Sequence, residues 1–230
     1  MRYLTLLIIV FFSTQISTAQ INEFGIFIGG SNFIGDVGAT NYIAPKKPAI
    51  GALYKWNRSP RHSYRISLMY TELEGIDTDS DDPSRQIRGL EFTNDIIELS
   101  LGMEYTFLPF DLHSGGFVST PYLYTGVSVA KHDNFFFNNQ GELTPEDTSS
   151  FAFGIPMALG YKASVSTNFI LALEIGARYT FSDELDGSVP DYGDEDSSVS
   201  FGNVNNNDWY MFTGITLTYT FGRNPCFCPE

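Results

Sequence analysis

Residues 168–181 read NFILALEIGARYTF. Taken two apart, Phe169, Leu171, Leu173, Ile175, Ala177, Tyr179 and Phe181 make one apolar face. Ile170, Ala172, Glu174, Gly176, Arg178 and Thr180 make the other. A helix gathers positions three and four apart and would mix these sets, whereas a strand keeps them separate. The stretch is a long strand whose second face carries an acid and a base.

The period recurs along the chain. In WYMFTGITLTYTF (209–221), Trp209, Met211, Ile215, Leu217, Tyr219 and Phe221 oppose Gly214, Thr216, Thr218 and Thr220. In IIELSLGMEYTF (96–107), Ile97, Leu99, Leu101, Met103, Tyr105 and Phe107 oppose Glu98, Ser100, Gly102 and Glu104. Eight such segments are expected, at roughly 22–34, 48–57, 62–74, 90–108, 120–132, 150–163, 168–182 and 207–221. Strands of a soluble β-sandwich also alternate but average about 5–6 residues. These are longer, and aromatics close their apolar faces at both ends. The expected fold is all-β: an eight-stranded antiparallel transmembrane barrel, OmpA-like, with its apolar face outward.

Outward apolar residues leave the polar face for the lumen. Lys55, Arg65, Glu98, Glu104, Lys162, Glu174 and Arg178 are expected there. An eight-stranded barrel is only wide enough inside for side chains to fill it. Buried charges must pair and hydrogen-bond, so a salt-bridged plug is expected rather than a channel or a catalytic centre.

The start of the chain fits this compartment. Arg2 precedes the apolar run LTLLIIVFF (4–12), and Ser17 and Ala19 stand before Gln20 in the pattern of a secretory cleavage site. The run is far shorter than the ~20 residues of a membrane helix. Residues 1–19 are therefore expected to be a signal peptide, 20–221 the barrel and 222–230 a tail. With no cysteine after the cut, no lipid anchor is expected. A formal net charge of −14 argues against nucleic acid as a partner.

Short connections (WNRSPRHS, LPFDLHSGGFVST, KASVSTN) alternate with long polar ones. The long ones are DVGATNYIAPKK, EGIDTDSDDPSRQIRG, FFFNNQGELTPED and the segment from Ser182 toward Asn206. Such barrels keep short turns in the periplasm and long loops outside. The expected location is the outer membrane, with both termini periplasmic and an acidic outer rim.

Several constellations invite chemistry. Asp77, Asp79 and Asp81 resemble half of a calcium loop but lack its Gly and terminal Glu. They are expected, like Asp191, Asp194, Glu195 and Asp196, to be a solvated acidic loop. His132–Asp133 has no nucleophile motif beside it. No enzyme activity, metal or cofactor is expected. Trp56, Arg58, Arg61 and His62 surround a periplasmic turn, either as belt and lipid-phosphate contacts or as a docking surface. The two cysteines, Cys226 and Cys228, lie in the tail NPCFCPE. Their spacing disfavours a relaxed internal disulfide, so an intermolecular disulfide or a metal-bridged link to a partner stands beside the reading of two spare thiols.

Longer blocks carry a family resemblance. They are FGIFIGGSNFIGDVG (24–38), PAIGALYKWNRSPRHSYRISLMY (48–70), FDLH, TPYLYTGVS, GIPMALGYK, EIGARYTFSDELDG and the terminal C-F-C-P. Together they resemble the PorG family of Bacteroidota, outer-membrane barrels of the type IX secretion system that also serves gliding motility. The resemblance implies a non-enzymatic barrel held to a periplasmic ring of a PorK/GldK-type lipoprotein and a PorN/GldN-type protein. Cys226 and Cys228 would suit ring attachment. The competing expectation is a stand-alone OmpA- or OmpW-like barrel with a structural or small-molecule role.

Overall fold

The computed structural model describes residues 21–111, 116–189, 201–202 and 207–222. Eight strands follow one another: β1 Ile21–Ile34, β2 Lys47–Asn57, β3 His62–Ile76, β4 Glu91–Thr106, β5 Ser119–Phe137, β6 Leu143–Ser164, β7 Phe169–Thr180 and β8 Trp209–Phe221. Each pairs antiparallel with its sequence neighbours, and β1 closes on β8 from Asn22↔Phe221 to Ile34↔Trp209. The sheet is a closed barrel. Closure removes the unpaired edges that an open sheet would expose.

Alternation sets the wall. Along β7 the burial pattern runs exposed–buried from Phe169 onward, with Leu173 60% exposed and Glu174 2%. The outer wall presents Ile26, Ile28, Leu68, Leu99, Leu101, Leu159 and Leu217 among many other exposed apolar side chains. Such a continuous apolar surface far exceeds the patches soluble proteins tolerate. Aromatics rim it at both ends. Trp56 stacks on Tyr64 with centroids 5.5 Å apart, and Phe169 meets Tyr219 at 5.3 Å near the short turns. Tyr179 meets Trp209 at 4.9 Å near the long loops.

The interior has two halves. Toward the short turns it is charged. Toward the long loops it is mainly apolar: Phe27, Phe33, Met69, Leu73, Phe92, Phe135, Phe137 and Phe212 form one buried cluster, with Ser31, Thr71, Asn94 and His132 buried in the same half. The expectation of a polar inward face needs correction for this half. A barrel of this width must be filled to the density of a protein interior, and large rings fill it without charges to pair.

The connection FFFNNQGELTPED also departs from expectation. It is not a long loop, because β5 runs to Phe137 and β6 begins at Leu143, leaving a tight turn at 138–142. The register shifts between Asp133 and Phe135, which breaks the alternation. Burial of Phe135 and Phe137 against Phe92 and Phe201 holds the extended hairpin over the barrel mouth.

The β3–β4 connection contains a 3-10 turn, Asp77–Asp79, and a short helix α1, Pro83–Arg88. Asp82 caps α1 by accepting a hydrogen bond from Ser84 N at 2.8 Å, and Gly89, with φ 66°, ends it. Asp77 is not part of a solvated loop. Its carboxylate is buried and accepts from Gly38 N (2.9 Å), Leu90 N (3.0 Å) and Arg88 Nε (2.7 Å). Burial works against its charge, but the hydrogen bonds from Arg88, Gly38 and Leu90 outweigh it and hold its pKa below the usual carboxylate value.

Candidate functional site

Every strand sends a side chain into the charged half of the lumen. Glu23 (β1), Lys55 (β2), Arg65 (β3), Glu98 and Glu104 (β4), Lys162 (β6), and Glu174 and Arg178 (β7) are all buried. Tyr122 and Tyr124 on β5 and Tyr210 on β8 complete the ring. The formal charges cancel, with Glu23, Glu98, Glu104 and Glu174 against Lys55, Arg65, Lys162 and Arg178.

Three knots hold it. Nearest the short turns, Glu104 takes Lys55 Nζ at 2.6 Å on one oxygen and Lys162 Nζ at 2.7 Å on the other. Lys55 also lies 4.0 Å from Glu23, whose oxygens accept from Asn57 Nδ2 and Thr218 Oγ1. Next, Arg65 grips Glu174 with both terminal nitrogens, and Tyr122 Oη donates to the same carboxylate at 2.7 Å. The Arg65 guanidinium lies over the Tyr124 ring at 4.6 Å and donates Nε to Ser67. Third, Arg178 Nε meets Glu98 at 3.2 Å while Tyr210 Oη donates to Glu98 at 2.6 Å. Phe110 from the β4–β5 connection lies against Lys162, with Nζ 4.7 Å from its ring centroid. Buried ion pairs hold only when the remaining polar positions are also satisfied; here hydroxyls and rings meet most of them, while Arg178 Nη1 is buried without a hydrogen-bond partner.

The structure thus brings together the lumen residues read from alternation. Glu23, Tyr122, Tyr124 and Tyr210 were not among them. For Glu23 a signal existed: it alternates with exposed Phe24 in the same pattern as Gly25 and Phe27. The tyrosines gave none, since Tyr122 and Tyr124 flank the equally apolar Leu123.

His132 and Asp133 do not form a dyad. They are consecutive on a strand, so His132 is buried inside while Asp133 is exposed. Among the described residues no group of His, Cys, Asp or Glu is disposed to hold a metal.

At the turn end, Trp56 belongs to the aromatic rim, and Arg58, Arg61 and His62 are exposed beyond it. The turn is rigid. Arg58 N and Ser59 N donate to His62 O at 3.0 and 3.1 Å, and Ser59 Oγ meets His62 Nδ1 at 3.0 Å. Phe110 N donates to Pro60 O at 2.9 Å, tying this turn to the β4–β5 connection. Asn22 pairs with Trp56 on one side and Phe221 on the other, so β8 ends two strands from this turn. Residues 1–20, Asp191, Asp194, Glu195, Asp196, Cys226 and Cys228 lie outside the described residues.

One family model, described as a domain of unknown function (DUF6089), matches residues 1–230. The chain belongs to the DUF6089 family. No curated protein matches it. Among solved structures, this DUF6089 chain is similar to Ail, the attachment invasion locus protein of Yersinia pestis. The identity is 10%, over 88% of this chain and 99% of that one, with a TM-score of 0.48. Neisserial surface protein A is 12% identical over 88% of this chain and 97% of its own, at 0.45. The N-terminal β-barrel domain of Pseudomonas aeruginosa OprF is 13% identical over 89% and 98%, at 0.44. These likenesses are distant, and the DUF6089 barrel rests on its own strand register.

A lumen filled in this way with buried, paired side chains is not built to conduct. In planar bilayers the purified chain should show no stable, large single-channel conductance. A steady open pore of the wild-type protein would contradict the plug.

Proposed function

We propose that this chain is a non-enzymatic outer-membrane barrel of the type IX secretion system that anchors a periplasmic ring to the membrane. The observation that carries the reading is the filled, charge-balanced lumen. With all eight strands spent on closing the interior, the ends of the barrel remain as working surfaces. The apolar wall with aromatic rims suits a bilayer. The even strand number and the short connections support a periplasmic turn end, with the start of β1 and the end of β8 on that side. There Trp56, Arg58, Arg61 and His62 offer the residue types that dominate interfaces, on a turn made rigid by its hydrogen bonds. β8 ends on the same side, and Cys226 and Cys228 follow it in sequence; in an oxidising compartment such thiols can pair with a partner. The assignment to type IX secretion, with a PorK/GldK-type lipoprotein and a PorN/GldN-type protein as partners, comes from the family resemblance of the long sequence blocks.

The test is recovery of tagged protein from detergent-solubilised outer membrane, with and without reductant. The expected result is a large complex containing the ring lipoprotein, with a cross-linked band on non-reducing gels. Cys226→Ser with Cys228→Ser should remove that band and weaken recovery while leaving the barrel in the membrane. A monomer that recovers no ring component, in cells that secrete normally without it, would leave the stand-alone barrel as the better reading.

A further inference from the structure

At the loop end, residues 185–188 are fastened to the 35–38 segment by the carboxylate of Asp186. Asp186 Oδ2 accepts from Asp36 N at 2.8 Å and Val37 N at 3.1 Å, and its Oδ1 accepts from Ser188 N at 3.0 Å. Asp208 Oδ2 accepts from Leu185 N at 3.0 Å. The other oxygen of Asp208 is buried against Gly35 without a hydrogen-bond partner among the described residues, and both oxygens of Asp183 are likewise buried without one. Asp208 is wholly buried.

Among the described residues no lysine or arginine forms an ion pair with Asp183, Asp186 or Asp208. The sequence from Ser182 to Asp208 contains Asp183, Glu184, Asp186, Asp191, Asp194, Glu195, Asp196 and Asp208 but no Lys, Arg or His. The packed elements contribute Asp36, Asp77, Arg85, Arg88 and the inward-facing His132 of β5. Both arginines are engaged elsewhere. Arg85 Nη1 donates to Gly35 O and Gly38 O, and Arg88 donates to Asp36 O and to Asp77. They grip the carbonyl side of the 35–38 segment, while the carboxylates hold its amide side. A buried carboxylate with neither cation nor donor is costly, and it takes up a proton instead.

We propose that Asp183 and Asp208 form a proton-operated latch on the loop-end cap: protonated, they hold residues 183–188 against the 35–38 segment, and ionised, they release them. The step is a proton transfer to bulk water, in which each acid loses one proton and gains one negative charge. The electrostatics agree with the geometry. Burial, then the charges of Asp186, Asp36 and Glu184, raise Asp183 to about 7. Burial, then Asp186 and Asp183, push Asp208 well above the usual carboxylate range. Asp186 is also raised by burial, although hydrogen bonds from Ser188 and Val37 oppose this.

The sign follows from proton counting. The closed cap binds more protons than the released one, whose acids titrate near ~3.9. Closure is strongest below that value. It weakens as pH rises from there to about 7 for Asp183, and the weakening continues at higher pH for Asp208. Each proton contributes up to about tenfold per pH unit in the closing constant.

The test is amide hydrogen exchange of the full chain folded in detergent micelles, from pH 5 to 9, corrected for the intrinsic rate. The Asp36, Val37, Leu185 and Ser188 amides should lose protection by up to about tenfold per pH unit for each of the two acids, so up to about a hundredfold per unit below pH 7 and up to about tenfold above it, while barrel-strand amides stay protected and report folding. Asp183→Asn and Asp208→Asn, which mimic the protonated acid, should flatten the profile and keep these amides protected at pH 8. Three results would overturn the latch. One is a flat wild-type profile; another is loss of protection at every pH in both variants. The third is full restoration at pH 8 by calcium chloride with a saturating one-to-one isotherm, which makes the cluster a cation site. This outcome is independent of the secretion reading, since it does not depend on which partner the turn end meets.

Discussion

Glu104→Ala should cost the barrel about 3–5 kcal/mol, the range for stranding a buried charge. Glu104 is the acid for two ammonium groups at once, Lys55 at 2.6 Å and Lys162 at 2.7 Å. Lys55 would keep only the long 4.0 Å approach to Glu23. Lys162 would keep the Phe110 and Tyr122 rings, which attract a cation but do not neutralise it. Glu98→Ala should cost less, because it strands one guanidinium that also lies over Phe212 at 4.7 Å. The measurement is equilibrium urea unfolding in lipid vesicles, followed by tryptophan fluorescence and by the heat-modifiable gel shift. The midpoint should fall with an unchanged slope. Adding Lys162→Ala to Glu104→Ala should recover part of the loss, since the pair is coupled. A loss under about 1 kcal/mol would mean that the lumen is wet and the pairs screened, as at a protein surface.

How far the sequence reaches depends on contrast between faces. In residues 168–181 the outer face is wholly apolar, and Glu174 and Arg178 mark the inner one, so strand, facing and charge are all readable. The same logic reaches Lys55, Arg65, Glu98, Glu104 and Lys162. It stops where both faces are apolar. Phe27 and Phe212 look like outward residues by type, yet they fill the upper lumen. The run Phe135–Phe136–Phe137 has no alternation to read, which is why the long β5–β6 hairpin goes unseen. Asp77 is hidden for another reason. Its burial depends on the Gly38 amide brought from the β1–β2 connection and on Leu90 at the far end of its own connection, and no local pattern encodes that meeting. The latch acids share this limit, since an acidic loop reads as solvated until its packing is known.

Gly160→Val should disrupt the second knot without touching a charge. Gly160 faces the lumen on β6, opposite Tyr122 on one neighbour and Glu174 on the other. A Cβ built there falls onto the Tyr122 ring, so the ring covers the glycine and any side chain must displace it. Moving Tyr122 withdraws its 2.7 Å hydrogen bond from Glu174 and the ring that lies 5.3 Å from Lys55 Nζ. Overpacking costs about 1–3 kcal/mol, and the lost hydrogen bond to a buried carboxylate about as much again. The glycine is thus required for space, since this position shows no positive φ. The check is a double-mutant cycle in the same urea assay. In a Tyr122→Ala background the ring is absent, and Gly160→Val should become nearly neutral. Strict additivity of the two changes would show that the valine acts elsewhere on the wall and that Tyr122 does not depend on the gap at Gly160.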